Sequence, residues 1–119
     1  MVKEFEAGDF LVFQIEAGYG LLRILDVAER GDEAVWHVAA YEDLFLDVEF
    51  AEGAITSGVT LKTKLDHVAL SVRAFESTQV SKIANRALTD EELIGYVQWK
   101  NDGQHHVSDR SIRLLLGLR

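Results

Sequence analysis

Two apolar runs meet at the tripeptide Gly18-Tyr19-Gly20, and no other feature of the sequence restricts the fold as much. In the first, FLVFQIE (10–16), Leu11, Phe13 and Ile15 share one side, with Phe10, Val12, Gln14 and Glu16 on the other. A period of two is the pattern of a strand, because successive side chains point to opposite faces of a sheet. The second run, YGLLRILDVAE (19–29), places Leu22 and Ile24 on one face and Leu21, Leu25 and Val27 on the other. The pair reads as a β-hairpin turning at the two glycines, which tolerate the positive φ of tight turns, with Tyr19 exposed at the tip. A strand that is apolar on both faces is either covered from both sides or curled into a small barrel.

A further turn at Gly31-Asp32 leads into AVWHVAAY (34–41), where Val35, His37, Ala39 and Tyr41 alternate with Ala34, Trp36, Val38 and Ala40. Three strands on two short turns make a meander. The period then changes. In LDVEFAEGAITSG (46–58), Val48, Ala51 and Ile55 recur at helical spacing, Asp47 stands at an N-cap position and Gly58 beyond the end. Extended character returns in VTLKTKLDHVALSV (59–72), with Lys62 and Lys64 on the solvent side of an edge-like strand. STQVSKIANRAL (77–88) reads as irregular or extended.

In LTDEELIGYVQWK (88–100), Thr89 and Glu92 form a capping box, and Leu93, Ile94, Val97 and one side each of Tyr96 and Trp99 supply a buried stripe. Gly95 inside that helix costs about 1 kcal/mol against alanine, which suggests close packing on a neighbour. The leucine-rich tail, VSDRSIRLLLGLR, must be buried as a short helix or a final strand. The order predicts one α+β domain over residues 1–119: a curved, mostly antiparallel sheet or a small SH3-like barrel, with two or three helices.

The 119 residues suit a single domain, and a 48% hydrophobic, 27% charged composition is that of an ordinary globular protein. Cysteine is absent, which removes disulfides, thiolate metal sites and cysteine nucleophiles and fits a reducing compartment. Proline is absent too, so polyproline ligands and cis-proline turns drop out. The start, MVKEFEAGDF, lacks the apolar core of a signal peptide, and no apolar run approaches the ~18 residues of a membrane span. A cytoplasmic protein is expected.

Charge is distributed unevenly. Residues 1–60 carry thirteen acidic side chains against three basic ones, whereas residues 61–119 carry seven against nine. So acidic a front half repels phosphate backbones, so nucleic acid is not an expected partner, and a basic protein is. The four histidines (His37, His67, His105 and His106) have no metal-binding spacing, so no metal or other cofactor is expected. Neither a GxSxG elbow nor a phosphate loop is present.

Carboxylates remain. YEDLFLDVEFAE (41–52) gathers Glu42, Asp43, Asp47, Glu49 and Glu52, with Phe45, Leu46 and Phe50 among them. Clustered acids favour a helix N-terminus and also steer a basic partner, while apolar anchors hold the complex. The expected function is therefore non-catalytic protein binding through this stretch and Tyr19. The alternative is a small enzyme or ligand-binding domain with a pocket at the open end of a barrel, built from Trp36, His37, Tyr41 and His67.

The opening residues, with Gly8-Asp9 before a strand, Tyr19-Gly20 and then Arg23 on the next strand, resemble the start of small bacterial immunity proteins of polymorphic toxin systems. The resemblance covers about the first third of the chain. It implies a cytoplasmic protein that neutralises a toxin enzyme by covering its surface.

Overall fold

The computed structural model describes residues 5–30 and 33–118. The alternating segments form strands β1 (Asp9–Ile15), β2 (Gly18–Arg30) and β3 (Glu33–Tyr41), paired antiparallel as a meander. The turn expected at Gly31-Asp32 lies outside the described residues. After β3 come α1 (Val48–Thr56), β4 (Thr63–Ser71), α2 (Val72–Glu76), β5 (Ser81–Asn85), α3 (Ile94–Asn101) and α4 (Ile112–Leu116).

All five strands join one antiparallel sheet in the order β4-β3-β2-β1-β5. Because β5 adds to β1, the outer edges of β4 and β5 lie at opposite ends and the sheet stays open. The SH3-like barrel is thereby corrected, and four short helices rather than two or three are found among the described residues. The physical reason is visible in β2. Its Leu22 and Ile24 pack with Trp36, Val38, Phe75 of α2 and Ile112 and Leu116 of α4, while Leu21 packs on the opposite face with Phe10, Tyr41 and Ala51 and Ile55 of α1. Helices cover both faces, so a two-sided apolar strand needs no closure; each such side chain contributes about 1.5–3 kcal/mol by leaving water. Alternation also places Trp36 against the Phe75 ring, stacked with centroids 4.0 Å apart, on the face away from α1 and α3.

The hairpin departs from expectation at its tip. Glu16 and Ala17 make the turn, and Tyr19 lies within β2 opposite Gln14, half-buried. Gly18 takes the positive φ expected of it and Gly20 does not, and both serve close approach: a Cβ on Gly18 would stand 2.2 Å from the Phe45 carbonyl oxygen, and one on Gly20 would stand 2.3 Å from the Phe13 ring.

Among the helices, α1 begins where its cap predicts, with the Asp47 carboxylate accepting the Phe50 N–H at 3.0 Å. Lys64 of edge strand β4 and Lys62 just before it are exposed, as expected, and the Lys64 ammonium donates to the Leu116 carbonyl at 2.9 Å. Residues 81–85 are extended, and the tail is a helix, capped by Ser111 and ended by Gly117 in the left-handed region. Helix α3 differs more. The Thr89–Glu92 capping box forms, with Glu92 N–H donating to the Thr89 hydroxyl and Thr89 N–H to the Glu92 carboxylate, but it closes a turn, and the helix starts at Ile94. Its buried contact is Tyr96, with Trp99 and Leu93 partly buried, while Ile94 and Val97 face solvent. The expected stripe is therefore corrected: aromatic contacts with histidines of the sheet rotate α3 so that Tyr96 points inward.

Candidate functional site

One face of the sheet carries both α1 and α3, and every residue expected to function lies on it except Trp36. At the α1 end, the chain from Glu42 to Glu52 runs as a loop into the helix. Phe45 forms a two-hydrogen-bond bridge with Tyr19, N–H to carbonyl in each direction at 2.8 and 2.9 Å. That bridge brings Tyr19 against the acidic stretch. Glu42, Asp47, Glu49 and Glu52 are exposed and Asp43 is half-buried, accepting the Lys62 N–H at 3.1 Å. Among the described residues, none of the five carboxylates forms an ion pair. Between them, Leu46 is 77% exposed, Phe50 59% and Leu44 50%, whereas Phe45 turns inward with Val48. Three large apolar side chains in water within seven residues form a small amphipathic surface.

The α3 end is organised differently. Arg23, wholly buried in β2, donates through Nε and Nη2 to both carboxylate oxygens of Glu92, at 3.0 and 3.3 Å, and to the carbonyls of Gly8 and Ala87. Its guanidinium also lies 4.1 Å from the Phe10 ring centroid. Burial pushes the Glu92 carboxyl up, but the hydrogen bond from Arg23 and that from Thr89 outweigh it and leave it below the usual range. Asp9, fully buried, is handled the same way: burial raises it, and Asn85, the Glu6 N–H and Lys82 lower it further than burial raises it.

Beside this pair, His37 Nδ1 and His67 Nε2 are 2.9 Å apart, sharing one proton between two neutral rings. Tyr96 covers His37 at 4.3 Å between centroids and Trp99 meets it edge-on at 4.7 Å, while the Tyr96 hydroxyl donates to Asp26 at 2.6 Å. Burial, then the neighbouring His67, lowers His37 to about 4, and burial lowers His67 to about 4. A base that weak is matched to acid and not to neutral proton transfer. His105 stacks near Trp99 at 5.0 Å, and His106 is exposed, its carbonyl accepting the Trp99 indole N–H. Among the described residues no group of three or more His, Asp or Glu side chains is placed to hold a metal ion. Among the described residues no helix is long and apolar enough to cross a membrane.

Between the two ends lies an open cavity of about 720 Å³, walled by the chain after α1 on one side and by α3 on the other. Tyr41 and His67 line it; His37 sits behind His67, and Trp36 is on the other side of the sheet. Burial pushes the Tyr41 phenol up to about 12. In the sequence Arg23 stands out only in the family resemblance, Glu92 only as a helix cap, and Arg86 not at all. Arg23 carried its own signal, since a cation at the centre of an apolar strand needs an internal carboxylate; Arg86 carried none, because its place follows from β5 joining β1.

No family model matches the chain, and neither a curated protein nor a solved structure shows significant similarity to it.

Proposed function

We propose that this protein is a non-catalytic binding module that docks a basic protein through the surface formed by Tyr19 and residues 42–52. The observation that carries the reading is the exposure of Leu44, Leu46 and Phe50 among five carboxylates that form no ion pair among the described residues. Carboxylates of this kind attract a basic partner over a Debye length of about 10 Å and set its orientation. The apolar side chains then supply the affinity, each worth about 1–2 kcal/mol once a partner covers it. The N-terminal resemblance supports a toxin enzyme as that partner, neutralised in the cytoplasm by occlusion of its surface.

Two variants test this: Leu46→Ser with Phe50→Ser, and Glu42→Gln with Asp43→Asn and Glu49→Gln. A toxin enzyme encoded beside this chain should be held and silenced by the unaltered protein. The apolar variant should release it about tenfold or more faster. The charge variant should slow its association and flatten the dependence on salt. A partner held equally by all three proteins would place the contact elsewhere and end this reading.

A further inference from the structure

The cavity beside α3 takes no part in the docking surface, and its polar groups divide by whether they are already partnered. Its floor is a row across the sheet, with Arg23 of β2 opposite Ala39 of β3 and Asp66 and His67 of β4 beyond, and Arg86, beside the Phe10 ring, closes the end next to β1. Three strands are separated by two gaps, about 10 Å in all, so the space is a trench running across the strands. Its volume, about 720 Å³, is within the roughly 300–1,000 Å³ usual for small-ligand sites.

Arg23 is spent on Glu92 and two carbonyls. Arg86 is not: its guanidinium lies 5.2 Å from the same Phe10 ring, and among the described residues its side chain forms neither a hydrogen bond nor an ion pair. Tyr41 stacks on Phe10 from another side, centroids 6.3 Å apart, and among the described residues its hydroxyl has no partner. This end thus offers a free guanidinium and a phenol, donors that match a carboxylate. At the β4 end the sign reverses. Gly95 lets α3 close on β4, where a Cβ would come within 3.0 Å of His67 Cβ, and the Asp66 carboxylate, held by the Thr63 hydroxyl, stands there beside neutral His67. Exposed Glu91 adds a second negative charge on the rim. Leu25, Ala39, Leu61 and Ile94 line the space between.

We propose that the trench binds a small, elongated amphoteric molecule, its carboxylate on Arg86 and Tyr41, its ammonium toward Asp66 and its apolar body between them. A short free peptide and a linear ω-amino acid share that chemistry, each with charges roughly 10 Å apart when extended.

Titration of the ¹⁵N-labelled full chain separates these sources and tests the site. The probes are the tripeptide Ala-Leu-Ala, 8-aminooctanoate, octanoate and octylamine. Saturable shifts at Tyr41, His67, Ile94 and Gly95 are expected with the amphoteric probes, the tighter of which identifies the source, and about tenfold weaker binding with the singly charged ones. Arg86→Gln should weaken 8-aminooctanoate and octanoate about tenfold and leave octylamine unchanged, and Asp66→Asn should do the reverse. Both side chains are exposed, and unchanged melting temperatures confirm that the variants fold. Octanoate binding as tightly as 8-aminooctanoate, indifference to Arg86→Gln, or no saturable shift up to about 10 mM probe would each overturn the proposal.

Discussion

Helices α1 and α3 rest on the same face of one sheet and dispose of their polar groups in opposite directions. Around α3 the sheet takes several polar groups inward, Glu92 onto Arg23, Tyr96 onto Asp26 and His67 onto His37, while Asp90, Glu91 and Lys100 stay exposed. Around α1 the carboxylates stay largely in water, and the two used internally bond only to backbone, Asp47 to its own helix and Asp43 to the Lys62 N–H. Similar residue types therefore do different work, and what decides is whether the sheet beneath offers a partner. Under α3 it offers a buried guanidinium and a buried imidazole. Under α1 it offers no charged side chain, only Phe10, Val12, Leu21 and the ring of Tyr41. The difference also trims the front half's negative charge as a recognition signal, since Asp9 is tied to Lys82 and Asn85.

Removing one partner on the α3 side breaks that contrast most severely. Glu92→Ala leaves a guanidinium with no exposure and no counter-charge. Breaking a buried pair costs about 3–5 kcal/mol, and the 25% exposure of Glu92 puts the loss near the lower figure, about 3 kcal/mol. Urea unfolding reads it as a lower midpoint at unchanged slope. The matched change on the other helix, Glu49→Ala, should move stability by less than about 0.5 kcal/mol. Equal losses would show that the two helices hold their charges alike.

Acid sharpens the same comparison. Both buried histidines have folded pKa values of about 4, below the ordinary 6.5, so between those limits the unfolded chain binds protons that the folded chain refuses. The stability that rests on the neutral pair is complete above about pH 6.5 and declines as pH falls toward 4. Asp9 and Glu92, held below their ordinary 3.8 and 4.5, add their own loss only as pH falls toward and through those values, at the acid edge of that window, so its upper part belongs to the histidines. A loss of the order of 2 kcal/mol is expected between pH 6.5 and 4.5, less than full linkage because His67 is partly solvated and the two titrations are coupled. Urea midpoints across that range, compared with those of a His37→Phe, His67→Phe double variant, check it. A variant with the same slope against pH would place the proton uptake elsewhere.

How much of this was legible follows the same division. Alternation along β1 to β3 and the Asp47 cap are local patterns, and both stand in the structure where the sequence places them. Thr89 and Glu92 are equally local, yet Glu92 is also held by a residue 69 positions away, and the helix starts a turn later than its cap implies. The glycines of the hairpin were visible as special, but the reason, the Phe45 backbone and the Phe13 ring, belongs to tertiary structure. Openness of the sheet depends on β5 finding β1 across more than sixty residues, which no periodicity encodes. His37 and His67 could be grouped only as walls of one possible pocket, because nothing in their spacing shows that β3 and β4 are neighbours and that the two rings bond directly. The acidic surface was legible because its chemistry is contiguous along the chain.

Asp47 stands on both sides of the comparison, as a cap and as a surface charge. Asp47→Ala should cost about 1 kcal/mol through the lost hydrogen bond to Phe50 N–H, whereas Asp47→Asn keeps an acceptor there and should cost a few tenths at most. Thermal melts separate the two. If the surface docks a basic protein, Asp47→Asn weakens that association despite an intact helix.

The smallest effect on stability is expected where the largest effect on binding is proposed. Leu46 and Phe50, at 77% and 59% exposure, already leave most of their surface in water, so Leu46→Ser with Phe50→Ser should shift the urea midpoint by less than about 0.5 kcal/mol in equivalent stability. The buried neighbours Ala51 and Ile55, one turn along the same helix, set the contrast: Ile55→Ala should cost about 2–4 kcal/mol because it opens a cavity against β1 and β2. Selection for folding alone gives no reason to keep a leucine and a phenylalanine in solvent when serine would serve. If the double serine variant instead loses more than about 1 kcal/mol, those side chains are holding α1 to the sheet, and the surface is part of the fold rather than a contact awaiting a partner.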